Sequence, residues 1–106
     1  MATSKSIIDN TYVYTYTSGM KGKVSFTDKK ANWEILEGPA KGFKGADNYE
    51  VKKVNEGVYF VRWHEPENKI TVTVLINEQT KKVYGSVVSP NGLEFDEAEI
   101  NEMVIG

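Results

Sequence analysis

An all-β fold, closed into a small antiparallel up-and-down barrel of about eight strands, is what this 106-residue sequence predicts. Three observations carry that expectation. Runs of aromatic and β-branched residues recur at a spacing of about ten residues, turn residues separate them, and no stretch has the apolar periodicity of an amphipathic helix. A meander of this length must protect its edge strands, and closure of the sheet on itself removes them. A two-sheet sandwich is the competing architecture. At 106 residues the chain, 1–106, is expected to be a single domain.

Taken in order, Tyr12-Val-Tyr-Thr-Tyr-Thr17 alternates tyrosine with β-branched residues and predicts the first strand, with Tyr12, Tyr14 and Tyr16 on one face. Ser18-Gly19 turns the chain into a second strand, Lys21 to Thr27. A further turn leads to a third, Asn32 to Glu37, on which Trp33 and Ile35 share a face. Gly38-Pro-Ala-Lys-Gly-Phe-Lys-Gly45 is too rich in breakers for regular structure and reads as a flap over one end of the barrel. It is not a phosphate loop. No helix signal or Lys-Ser/Thr pair follows it, and the next pattern is a strand, Tyr49 to Val54.

Gly57 to Pro66 then reads as a strand between a turn glycine and a proline. Strand alternation puts Tyr59, Val61, Trp63 and Glu65 on one face and Val58, Phe60, Arg62 and His64 on the other. An acidic residue after Trp63 on an apolar face either points at something or has reached the rim of the core, because charged groups are seldom buried unpaired. Ile70 to Asn77 is the most β-branched run in the chain, the pattern of a strand paired on both edges, and is expected beside Val58 to His64. Glu78 to Lys81 is read as a turn, Lys82 to Ser89 as a strand, and Leu93 to Ile105 as a strand, alone or with a short helical turn.

The charge balance narrows the function. Net charge is −2, yet all 13 Lys and Arg precede Leu93, whereas five acidic residues (Glu94, Asp96, Glu97, Glu99, Glu102) follow it. Apolar residues interleave with those acids, which favours an ordered last element over a free acidic tail. The basic residues are scattered, so nucleic-acid binding is not expected. No run reaches the roughly 20 apolar residues of a membrane span, and Met1 to Asp9 lacks the apolar core of a signal peptide. A soluble cytoplasmic protein is the expectation. With no cysteine and one histidine, His64, thiol chemistry, a Ser-His-Asp triad and a paired-histidine metal site have no residues to work with.

What remains is an inward set: Tyr12, Tyr14, Tyr16, Trp33, Tyr59, Trp63 and Glu65. Aromatics at strand spacing are often plain core. Three tyrosines on one strand face, however, bring three hydroxyls that need partners, and they suit a small aromatic or hydrophobic ligand. A partly desolvated glutamate among them could serve as a general acid or base. The outward Phe60, Arg62 and His64 suggest a homodimer contact.

Several of these residues resemble a known family. Tyr14-Thr-Tyr16 followed by Gly19, then Gly38-Pro-Ala-Lys-Gly42, Glu56-Gly-Val-Tyr59 and Trp63-His-Glu-Pro66, look like the bacterial phenolic acid decarboxylases and the related MoaF-like (molybdenum cofactor biosynthesis F-like) barrels. The resemblance covers most of the chain. It implies a lipocalin-like, calycin-type barrel that dimerises and uses no metal or organic cofactor. By resemblance to the decarboxylases, Tyr14 and Tyr16 would hold a hydroxycinnamate-like substrate and Glu65 would take part in proton transfer. The arginine of those enzymes directly follows the second glycine of the Gly-x-x-x-Gly loop, where this chain has Phe43. Phe43 then joins the ligand-binding set, with Lys41 and Lys44 as the flap's remaining cations. The aromatic that follows the turn glycine is replaced by Met20. The short MoaF-like branch is the better match.

Overall fold

Every predicted run becomes a strand. A computed structural model describes residues 3–106; the first two residues of the Met1 to Asp9 stretch lie outside the described residues. The eight strands are β1 (Thr11–Tyr16), β2 (Lys21–Phe26), β3 (Lys30–Glu37), β4 (Lys44–Asn55), β5 (Val58–Glu65), β6 (Ile70–Asn77), β7 (Lys82–Ser89) and β8 (Gly92–Val104). Each pairs antiparallel with its chain neighbours, and β8 returns to pair with β1, from Thr11↔Val104 to Tyr16↔Ala98. The sheet is therefore a closed barrel and not a sandwich. None of the described residues forms a helix long and apolar enough to cross a membrane.

Two elements differ from the sequence reading. β4 begins at Lys44, so the glycine-dense connection shortens to residues 38–43. It is also tied down. Gly42 N–H donates to Ile35 O at 2.9 Å, Ile35 N–H to Phe43 O at 2.8 Å, and Phe43 N–H to Ala40 O at 3.0 Å. β8 runs for 13 residues without a helical turn. Its first part pairs with β7 and its last part with β1, so one long strand supplies both seams of closure. The acids of the last stretch belong to that strand, on which Ala98 and Ile100 are buried and Lys82 pairs with Glu97 and Glu99 on the surface.

The core follows strand alternation. Tyr59, Val61, Trp63 and Glu65 of β5 are buried, while Phe60, Arg62 and His64 are exposed; Val58, assigned to the outer face by alternation, is buried as well, at the start of the strand. On the neighbouring strand Val74 and Ile76 are buried, in register with Val61 and Tyr59. Because the strands alternate in direction, the β1–β2, β3–β4, β5–β6 and β7–β8 connections lie at one end of the barrel, and the remaining turns lie at the other.

That other end is plugged by the N-terminal segment. Asp9 N–H donates to Phe26 O at 2.6 Å, Ile7 is buried, and Ser4 reaches Glu78, the residue that follows β6. Glu78 is fully buried. Its Oε1 accepts from Ser4 N–H at 2.7 Å, and its Oε2 accepts from Ser4 Oγ at 2.7 Å and Tyr12 OH at 2.6 Å. Asn10 Nδ2 donates to the Tyr12 hydroxyl at 2.9 Å, and the Tyr59 hydroxyl lies 2.7 Å from Ser4 Oγ. Removing this acceptor leaves buried donors without partners. Glu78→Ala is expected to lower stability by about 3 kcal/mol, read as a drop in the chemical denaturation midpoint. An unchanged midpoint would show that the carboxyl group does not hold the plug.

Candidate ligand cavity

The end opposite the plug stays open. Between β1, β2, β3, β5, β6, β7 and β8 lies a cavity of about 480 Å³, walled by Tyr14, Tyr16, Trp33, Trp63, Ile70, Val72 and Val87, with Glu65 among these apolar groups and Phe43, Met20 and Ala40 also in the lining. Its volume is in the usual range for a small-molecule site. An adjoining hollow of about 600 Å³ shares Trp33, Phe43, Glu65 and Asn68 and extends over the β3–β4 and β5–β6 connections. Together the two are lined by five acidic residues, Glu34, Asp47, Glu65, Glu67 and Glu94, and by two basic ones, Lys23 and Lys44.

Glycines on other strands make room for the rings. A Cβ added at Gly22, directly opposite Tyr14, would come within 3.3 Å of its ring; one added at Gly85 would lie 3.1 Å from the Tyr16 hydroxyl. At Gly45, opposite Trp33, it would fall 2.6 Å from Cζ2 of the indole. Glycine inside a strand usually marks such a close approach. These glycines, Asn68 and the apolar Ile70, Val72 and Val87 are parts of the site that the sequence reading missed; for Gly22 and Gly85 the signal was glycine inside a predicted strand, whereas Gly45 sat in the glycine-dense stretch read as a loop.

Glu65 is only 8% exposed, at the end of β5. Trp63 Nε1–H donates to its Oε2 at 2.9 Å and Asn68 Nδ2 donates to its Oε1 at 3.0 Å. Each oxygen thus has one neutral donor, and none of the ion pairs among the described residues involves Glu65. Trp33 is oriented by donation from its Nε1–H to Asp47 Oδ2 at 2.9 Å. Tyr14 and Tyr16 meet edge to face, with ring centroids 5.4 Å apart.

Burial pushes the Tyr14 hydroxyl well above the usual phenol range, and the neighbouring Tyr16 and the charge of Glu65 raise it further. Tyr16 is pushed up to about 12, mainly by burial.

The structure separates the candidate residues by depth. Tyr14, Tyr16, Trp33, Trp63 and Glu65 come together around the cavity. Phe43 lies in its lining but is 61% exposed. Tyr12 and Tyr59 share the inward face but belong to the plugged end, where Glu78 and Ser4 engage their hydroxyls, and they do not line the cavity. Lys44 lines the outer hollow and Lys41 lines neither. Arg62, the chain's single arginine, points outward and pairs with Glu50 at 2.7 Å; His64 Nδ1 lies 3.0 Å from Thr71 Oγ1 on the same exposed side.

This geometry defines a class: a small closed β-barrel with an interior hollow open at one end. A MoaF-like family model matches residues 8–99, so the chain belongs to the MoaF-like family. No curated protein matches it. Among solved structures, a provisionally named beta-lactamase from Burkholderia vietnamiensis superposes with a TM-score of 0.84 at 15% identity, covering 95% of this chain and 98% of that one. At that identity the likeness is one of fold.

Two measurements check the site. Gly45→Ala is expected to displace the Trp33 ring, changing tryptophan emission and lowering stability by about 1–3 kcal/mol; unchanged emission and stability would contradict the close contact. Alkaline titration tests the tyrosines. The folded-state values of Tyr14 and Tyr16 are raised above the unfolded value near 10, so their contribution to stability is complete below about pH 10. It is lost as pH rises towards 12 and beyond. Tyrosinate absorbance should accordingly show these two residues protonated at pH 10, ionising only as the barrel loosens at higher pH.

Proposed function

We propose that this chain is a lipocalin-like binding barrel that takes a small, partly aromatic molecule into its open end. One observation carries the reading: five of the inward candidates, Tyr14, Tyr16, Trp33, Trp63 and Glu65, surround a single apolar cavity of about 480 Å³. A filled core would leave no such space, and eight strands give an interior just wide enough for one small ligand. The rings supply stacking surface, while Glu65 and the tyrosine hydroxyls supply directional polar contacts.

A cofactor-free lyase using Glu65 for proton transfer is the second reading, favoured by the place of Glu65 in the same lining as Tyr14. It is the weaker one. The cavity lining contains no arginine to hold a substrate carboxylate, and the single arginine of the chain is paired on the outer face.

Titrating a broad aromatic library, hydroxycinnamates included, should quench tryptophan fluorescence and raise the thermal midpoint for some members. Tyr14→Phe and Trp63→Leu are each expected to weaken those members by about tenfold. Absence of quenching and of any thermal shift across the library would sink the binding reading, and turnover of a hydroxycinnamate that Glu65→Gln abolishes would favour the lyase.

A further inference from the structure

We infer that the cavity is selective for an organic cation, an aromatic molecule carrying an ammonium group, and that Glu65 is the group that selects it. The inference rests on the binding reading above and deepens it. Glu65 is more than nine-tenths buried, and among the described residues its carboxylate accepts hydrogen bonds only from the uncharged side chains of Trp63 and Asn68. A carboxylate can accept about four hydrogen bonds; with one donor on each oxygen, it keeps capacity for a ligand. A buried charge without a counter-ion is costly to the free protein, and a ligand cation would offset that cost on binding.

The surroundings favour the same sign. Tyr14, Tyr16, Trp33 and Trp63 present four aromatic rings to the cavity, and ring faces attract organic cations. Five carboxyl groups against two ammonium groups line the two hollows, so the approach to the site is net acidic. Lys23 and Lys44 both stand opposite Glu34 on adjacent strands, so each has a carboxylate for its neighbour in the sheet. An anionic aromatic entering this space would meet Glu65 in a poorly screened environment with no guanidinium to hold its carboxylate.

The test uses three ligands that share one ring and one short arm: tyramine, which carries an ammonium group; tyrosol, its neutral alcohol counterpart; and para-hydroxyphenylacetate, a carboxylate. Calorimetric titration of the full chain should give tyramine about tenfold tighter than tyrosol, and para-hydroxyphenylacetate weakest. In Glu65→Gln tyramine should lose about tenfold more affinity than tyrosol, so that the gap between them closes, whereas general disruption of the site would weaken both alike. Equal or tighter binding of para-hydroxyphenylacetate by the unaltered protein overturns the inference and leaves the binding reading intact. The same holds if all three fail while another aromatic binds. If no aromatic binds at all, both fall.

Discussion

A closed barrel has two ends, and everything distinctive about this one depends on how the first is stoppered. Glu78 is taken fully out of water, and none of the ion pairs among the described residues involves it, which is unfavourable in itself. Three hydrogen bonds, from Ser4 N–H, Ser4 Oγ and the Tyr12 hydroxyl, offset the cost. They also join pieces of chain remote in sequence: the N-terminal segment, β1 and the end of β6. Without the plug the interior would be open from both sides and Tyr12 and Tyr59 would face solvent. With it, the hollow has a floor.

The two ends use the same face of the same strand for different purposes. Tyr12 and Tyr14 are both inward residues of β1, yet the first is bound into the Glu78 network and the second faces the cavity. What separates them is position along the barrel axis. Ring size does the rest. The tyrosines and tryptophans would fill the open end if the positions facing them on other strands also carried side chains, but Gly22, Gly45 and Gly85 withdraw volume from the wall and let the rings lie back against it. Stability given up at glycine positions within strands is thus exchanged for a space.

This explains which features the sequence made legible. Alternation in Tyr12 to Tyr16 and Tyr59 to Glu65, and the turn residues between runs, sufficed for the strands, their faces and closure, because those follow from a period of two and from the need to remove edges. Depth was not legible. Whether an inward residue sits at the floor, wall or mouth depends on the stagger between strands, to which the register shift between Val13 and Tyr14 contributes and which no single-strand pattern encodes. Glu78 was hidden for a related reason. In Glu78-Gln-Thr-Lys81 it sits among ordinary turn residues, and only the folding of Ser4 and Tyr12 over it makes it a core group.

The β3–β4 connection shows how such a scaffold can change its chemistry without changing its shape. Main-chain hydrogen bonds fix the backbone around Phe43: its carbonyl accepts from Ile35 N–H, its own N–H reaches Ala40 O, and Gly42 N–H returns to Ile35 O. The side chain contributes to none of these bonds and is largely exposed while still lining the cavity. A residue held in this way can be exchanged at little cost to the fold, yet a charge placed there would act directly on any ligand in the cavity. A guanidinium there would compensate Glu65 and recruit an anion. A phenyl ring offers Glu65 no counter-ion and extends the aromatic lining, so a single loop position alters the charge around Glu65 while the barrel around it stays the same.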